Sequence, residues 1–125
     1  MTDSDATARA VVLVVDDEPM LRSATALALE SEGFAPVVAG SVAEAIDVLA
    51  HTAIDLVLTD VAMPGADGIA LARHVRCRCS GVAVVLMSGQ LQPDAARELA
   101  DVPFVRKPFT AGEIVAAVAA GLARR

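Results

Sequence analysis

The 125-residue chain has no Trp, no Tyr and only three Phe, so aromatic side chains make up 2% of it. With 55% apolar residues, any core has to be assembled from Val, Leu, Ile and Ala. Such a core suits parallel strands buried on both faces and covered by Ala-rich helices. Cysteine is scarce as well: Cys77 and Cys79 lie two apart, with no second pair and no nearby His pair. That leaves a redox or metal pair at Cys77 and Cys79 as a minor reading and fits a reduced, cytoplasmic chain. Positive charge is in deficit, with 10 basic against 16 acidic residues, a net charge of -6 and a pI near 4.7. This balance argues against nucleic acid or an anionic membrane as the main partner. The longest apolar stretch, Ile114 to Ala123, is too short to span a bilayer and is interrupted by Gly121. The first ten residues carry Asp3 and Asp5 and no apolar segment, so no signal peptide is expected.

What remains is an ordered alternation of elements in a single domain. Val11 to Val15 is a continuous β-branched run, which reads as a buried strand. Pro19 then suits the first turn of a helix that continues through Leu21, Ala24, Leu27 and Ala28 and stops at Gly33. Ala35 to Ala39 is a second strand, and Ser41 with Glu44 forms a capping box for a helix to His51. The unit repeats: a strand Ile54 to Thr59 ending in Asp60, a loop Val61 to Asp67, and a helix from Gly68 to Cys77. A strand Val82 to Met87, a loop Ser88 to Gln92 and a helix Pro93 to Leu99 follow. Val102 to Arg106 is the fifth strand, and Thr110 with Glu113 caps the last helix, to Ala123. Alternation with short connections implies right-handed crossovers and a parallel sheet with helices on both faces. With the last helix running up to Arg124-Arg125, no output domain is expected within this sequence.

Polar residues concentrate where strands end: Asp16 and Asp17, Asp60, Ser88, and Lys107 followed by Pro108. In a parallel sheet these converge on one edge, the place where such folds do chemistry. Packed carboxylates repel one another unless a cation joins them, and carboxylate and carbonyl oxygens suit Mg²⁺. A carboxylate can also act as the nucleophile that accepts a phosphoryl group, whose charge then calls for an ammonium and a hydroxyl. Lys107 and Ser88 supply those. Lys107 is the only lysine, the other nine basic residues being Arg, and a compact point charge on a phosphoryl oxygen is a reason to keep it.

Val-Val-Asp16-Asp17-Glu18-Pro, Asp60-Val-Ala-Met-Pro-Gly-Ala-Asp67-Gly68, the apolar strand ending in Ser88-Gly89, and Phe104-Val-Arg-Lys107-Pro108-Phe109 together resemble the receiver domain of two-component response regulators. The likeness runs from Ala10 to the C-terminus, with residues 1–9 as a short flexible tail and 10–125 as the receiver. It implies a flavodoxin-like (βα)5 fold with five parallel strands in the order 2-1-3-4-5. By the same resemblance Asp60 is the phosphoacceptor, attacked by a phosphohistidine of a histidine kinase or histidine phosphotransfer protein. Asp17 is a direct Mg²⁺ ligand beside Asp60, Asp16 holds metal-bound water, and Ala62 contributes its carbonyl. Ser88 and Phe104 are the switch pair, Lys107 binds phosphate ahead of a cis bond to Pro108, and Ala62 and Gln90 tune dephosphorylation. A downstream protein would read the face made by the fourth helix, fifth strand and fifth helix.

Duller readings stand beside these. Asp16 and Asp17 also suit a helix N-terminus, Met63-Pro64-Gly65 is turn chemistry, and Phe104 could be core filling. Glu18 reads as a helix-start residue, Phe34 and Phe109 as packing, and His51 and His74 carry no role. Within the signalling class the chain is expected to be a stand-alone regulator, a relay carrier, or a receiver cut from a hybrid kinase or larger regulator. The paired cations of dimerising DNA-binding regulators are not evident in the fourth and fifth helices, so no DNA output is expected. An enzyme of the haloacid-dehalogenase phosphohydrolase kind would need a carboxylate two residues after its nucleophile. Ala62 holds that place after Asp60; after Asp16 it is Glu18, with no fitting Thr and no cap insertion.

Overall fold

The computed structural model describes residues 9–61, 68–89 and 102–124. Its elements are β1 (Val11–Val15), α1 (Pro19–Ser31), β2 (Ala35–Ala39), α2 (Val42–His51), β3 (Leu56–Asp60), α3 (Gly68–Arg78), β4 (Ala83–Ser88), β5 (Phe104–Arg106) and α4 (Ala111–Ala123). Most of the expected N-terminal tail, the loop residues 62–67, Gln90 with the rest of its loop, and the expected helix Pro93 to Leu99 lie outside the described residues.

All strands are parallel, in the order β2-β1-β3-β4-β5. The chain steps from β1 outward to β2, then returns past β1 to β3, so the order reverses between β1 and β3. That reversal opens a crevice at the carboxyl ends of these two strands. Alternate strand residues feed two cores. Leu13, Val15, Val57 and Leu86 pack with Val42 and Ala45 of α2 and Ile69, Ala72 and Val75 of α3. On the opposite face Val12, Val14, Leu56, Leu58, Val85 and Met87 pack with Leu29 of α1 and Ile114 and Val118 of α4. Because β1, β3 and β4 are covered on both sides, they read as near-continuous apolar runs, with polar residues only at the ends of β3 and β4, rather than as alternation.

Local signals explain most boundaries. Pro19 opens α1, and Gly33, at φ 92°, closes it with Phe34 N–H on the Leu29 carbonyl and Gly33 N–H on that of Glu30, both at 3.1 Å. Thr110 and Glu113 form the full reciprocal box at the start of α4, at 2.8 and 3.1 Å. The box at α2 is only half as expected. Ser41 Oγ accepts the Glu44 N–H at 3.1 Å, but the Glu44 carboxylate reaches past Ser41 to the Gly40 N–H, where no side chain stands in its way.

Three strands shift from the expected limits. β3 starts at Leu56 instead of Ile54 and takes in Asp60, which pairs with Met87. β4 runs Ala83–Ser88, so Ser88 belongs to the strand rather than to the loop. β5 begins at Phe104 rather than Val102, because Pro103 has no N–H for the ladder and offers only its carbonyl, to Leu86 N–H at 2.9 Å. At the opposite edge, Ala35 N–H turns inward to the Ala10 carbonyl and Ala39 accepts from Asp16, so Pro36 and Val38 present their backbone outward.

The Thr110 cap holds the end of α4 nearest Lys107. Thr110→Ala should lower stability by about 1 kcal/mol, read as a lower urea midpoint with an unchanged slope.

Candidate functional site

β1 delivers Asp16 and Asp17 just past its last residue, β3 ends in Asp60, and the two strands pair directly, with Val15 opposite Thr59. One carboxylate oxygen from each acid lies within 4.8 Å of the others. Asp16 is 1% exposed and Asp60 7%, whereas Asp17 faces solvent. The set consists of hard oxygen donors, one of them open to water, which fits Mg²⁺ better than a softer metal.

Asp16 is held on three sides. Its backbone N–H donates to the Ala39 carbonyl at 3.2 Å, its Oδ1 accepts the Glu18 N–H at 3.0 Å, and its Oδ2 accepts from Lys107 Nζ at 3.2 Å. Lys107 also donates to Asp60 Oδ2 at 3.0 Å, bridging the two buried acids. Lys107 is placed by its own N–H, which continues the ladder beyond β5 to the Ser88 carbonyl at 2.8 Å; the Lys107–Pro108 bond that follows is cis. Burial pushes the ammonium's pKa down, but hydrogen bonds and charge from Asp60 and Asp16 outweigh it and hold it above the ordinary 10.5.

The other expected site residues are placed as follows. Ser88 is the last residue of β4, 4% exposed, one step beyond the Met87 that pairs with Asp60. Phe104 lies opposite Leu86 on β5, half-buried, and packs on the core shared with α2 and α3. Ala62 and Gln90 fall outside the described residues. Glu18 sits at the N-cap of α1 and makes no side-chain cap bond. Cys77 is exposed and Cys79 partly so, both as free thiols at the end of α3. Among the described residues, no helix is long and apolar enough to cross a membrane.

Two contributors escaped the sequence reading. The bridge from Lys107 to Asp16 pairs residues 91 apart in the chain, and no local spacing announces it. Gly68 is the first residue of α3, where the sequence placed the start of that helix, but its close approach to β3 was not anticipated. Its N–H donates to the Val61 carbonyl at 2.8 Å, and a Cβ there would collide with the Asp60 carbonyl and lie 3.1 Å from Thr59 Oγ1. The glycine itself was the available signal, since glycine serves close backbone approach as well as turns.

The response regulator receiver domain family matches residues 12–119. This chain is a member of that family. The receiver is 38% identical over 122 residues to the DNA-binding response regulator MtrA of Mycolicibacterium smegmatis, covering 94% of this chain and 53% of that protein. It is 35% identical over 116 residues to the transcriptional regulatory protein FixJ of Azorhizobium caulinodans, covering 90% and 55%. The receiver thus spans about half the length of these curated relatives. Among solved structures it is similar to the response regulator protein TrrA of Thermotoga maritima in complex with Mg²⁺ and BeF, with a TM-score of 0.81 and 27% identity over 89% of this chain and 97% of that one. The family is a signalling switch rather than a catalyst.

A folded-state pKa above the unfolded one gives stability that is whole below the unfolded value and is lost as pH rises through the folded value. With no Tyr and no second Lys, Lys107 is the side chain that titrates above pH 10. The receiver should therefore lose stability above about pH 10.5, and Lys107→Met should lack that alkaline loss, as read from urea midpoints between pH 7 and 11. Gly68→Ala should cost at least about 2 kcal/mol, because the clash is with backbone that cannot yield; differential scanning calorimetry measures it.

Proposed function

We propose that the receiver accepts a phosphoryl group on Asp60 and so changes the surface it offers to a partner. The observation that carries this reading is the setting of Asp60: buried at a strand end, among two further carboxylates and 3.0 Å from the only lysine. Asp16, Asp17, Asp60 and the Ala62 carbonyl would hold Mg²⁺, which when bound offsets the charge of the phosphoryl group. The Mg²⁺ and BeF in TrrA support that choice of ion.

The donor is a phosphohistidine on a histidine kinase or a histidine phosphotransfer protein. An Asp60 oxygen attacks phosphorus, the new O–P bond forms, and the P–N bond breaks with its electron pair leaving on the imidazole, which takes up a proton. Lys107 neutralises the carboxylates beforehand and afterwards turns its donors to the phosphoryl oxygens. The Ser88 hydroxyl supplies a further donor, and Phe104 packs inward as Ser88 moves. Phosphorylation biases an existing equilibrium through these differential contacts. Met20, 82% exposed on the first turn of α1, gives a protein donor an apolar foothold near Asp17.

In this reading the receiver unit is 10–125, works in the cytoplasm, and shows the downstream partner a face that includes β5 and α4; the expected helix Pro93 to Leu99, which the sequence assigned to the same face, lies outside the described residues. The net charge of -6 disfavours direct DNA contact. The doubled length of the curated relatives favours, as a second reading, a receiver module of a larger regulator or hybrid kinase.

Incubation with Mg²⁺ and acetyl phosphate should yield one phosphoryl adduct by intact mass, labile in alkali. The adduct should be absent without Mg²⁺ and absent in Asp60→Asn; no adduct on the native chain, or one that survives Asp60→Asn, overturns the assignment.

A further inference from the structure

Asp16 is fixed through its side chain, but Asp17 is not. Among the described residues, its exposed carboxylate makes no hydrogen bond, so its position follows from the backbone that carries it. The peptide joining Asp16 to Asp17 lies beyond the last residue of β1, where the ladder no longer holds its carbonyl. That carbonyl oxygen accepts a hydrogen bond from Arg22 Nη1 at 2.8 Å. Arg22 stands one turn into α1, and its backbone N–H makes the first bond of that helix, to the Glu18 carbonyl at 3.0 Å. A rigid helix therefore carries a guanidinium back to clamp the peptide plane from which Asp17 projects.

The approach depends on a second residue remote from the acids in sequence. The Arg22 guanidinium passes over Gly40, just after β2, so closely that a Cβ there would lie 2.9 Å from Nη1. Gly40 has an ordinary negative φ, so its lack of a side chain serves space rather than conformation. Its N–H is anchored by the Glu44 carboxylate at the start of α2, which would itself be 3.8 Å from that Cβ. Arg22, Gly40 and Glu44 thus join α1, β2 and α2 around the connection that presents Asp17.

We infer that Arg22 is a positioning residue for the cation site: seated over Gly40, it sets the Asp16–Asp17 peptide and thereby the Asp17 carboxylate. This rests on the Mg²⁺ site proposed above. Groups that orient metal ligands from behind typically change affinity by about 10-fold or more. Arg22→Met should weaken Mg²⁺ binding by about 10-fold, while Arg22→Lys, which keeps one donor for the carbonyl, should recover part of it. Gly40→Ala, which leaves every acid and Arg22 itself in the sequence, should weaken Mg²⁺ in the same direction by displacing the guanidinium.

The test is isothermal titration calorimetry of the apo protein with MgCl₂, alongside thermal unfolding of each variant without metal. Weaker binding in Arg22→Met and Gly40→Ala, with recovery in Arg22→Lys, supports the clamp. Native affinity in folded Arg22→Met, or a loss that Arg22→Lys does not relieve, overturns it. If the native chain binds no Mg²⁺, or Asp17→Asn binds as well as native, the proposed metal site itself fails, which is a separate result.

Discussion

Two carboxylates are buried at adjacent strand ends with a third at the rim, and the arrangement stands only because a cation lies between the buried pair. Two like unit charges 4 Å apart near a protein surface repel by roughly 4 kcal/mol, too much for a small domain to leave unanswered. Lys107 answers it, touching Asp16 and Asp60 at 3.2 and 3.0 Å. Much of the surrounding structure places that ammonium: the ladder bond to Ser88 and the Thr110 cap that starts α4. A site so charged has to be built at the sheet's switch point, where strand ends bring acids together while the two cores below supply the stability.

The same electrostatics connects rest to response. The charge that Lys107 balances is shared by two acids, so an added anion at Asp60 draws on a cation that Asp16 also uses. In the proposed function that demand would be felt at Ser88, whose carbonyl accepts the Lys107 N–H, and along β5, where Phe104 packs against one core. A switch of this kind needs no large strain. It needs groups whose best partners differ before and after the new charge arrives.

Much of this was legible in the sequence for physical reasons. Val11–Val15 and the Leu56–Leu58 run ahead of Thr59 and Asp60 announce strands buried on both faces, because both are rich in consecutive apolar residues. Thr110 with Glu113 and Pro19 mark helix starts through backbone donors that need partners or cannot exist. The convergence of Asp16, Asp17, Asp60 and Lys107 followed from parallel order alone. What stayed hidden were contacts between residues distant in sequence: Lys107 with Asp16, Arg22 with the Asp16 carbonyl, and the space that Gly40 and Gly68 leave for neighbours. The β5 start was misplaced because an apolar residue at Val102 outweighed the missing donor at Pro103, though the ladder follows donors and not hydropathy.

The edges of the sheet carry one further implication. On β2 the outward-facing positions are Pro36, which has no hydrogen to donate, and Val38; β5 is three residues long with Pro103 before it and Pro108 soon after. Neither border offers an incoming strand a run of donors to zip onto. Strand exchange and fibre-like stacking are therefore disfavoured at these borders, and side chains on the helices are left as the natural contact surfaces.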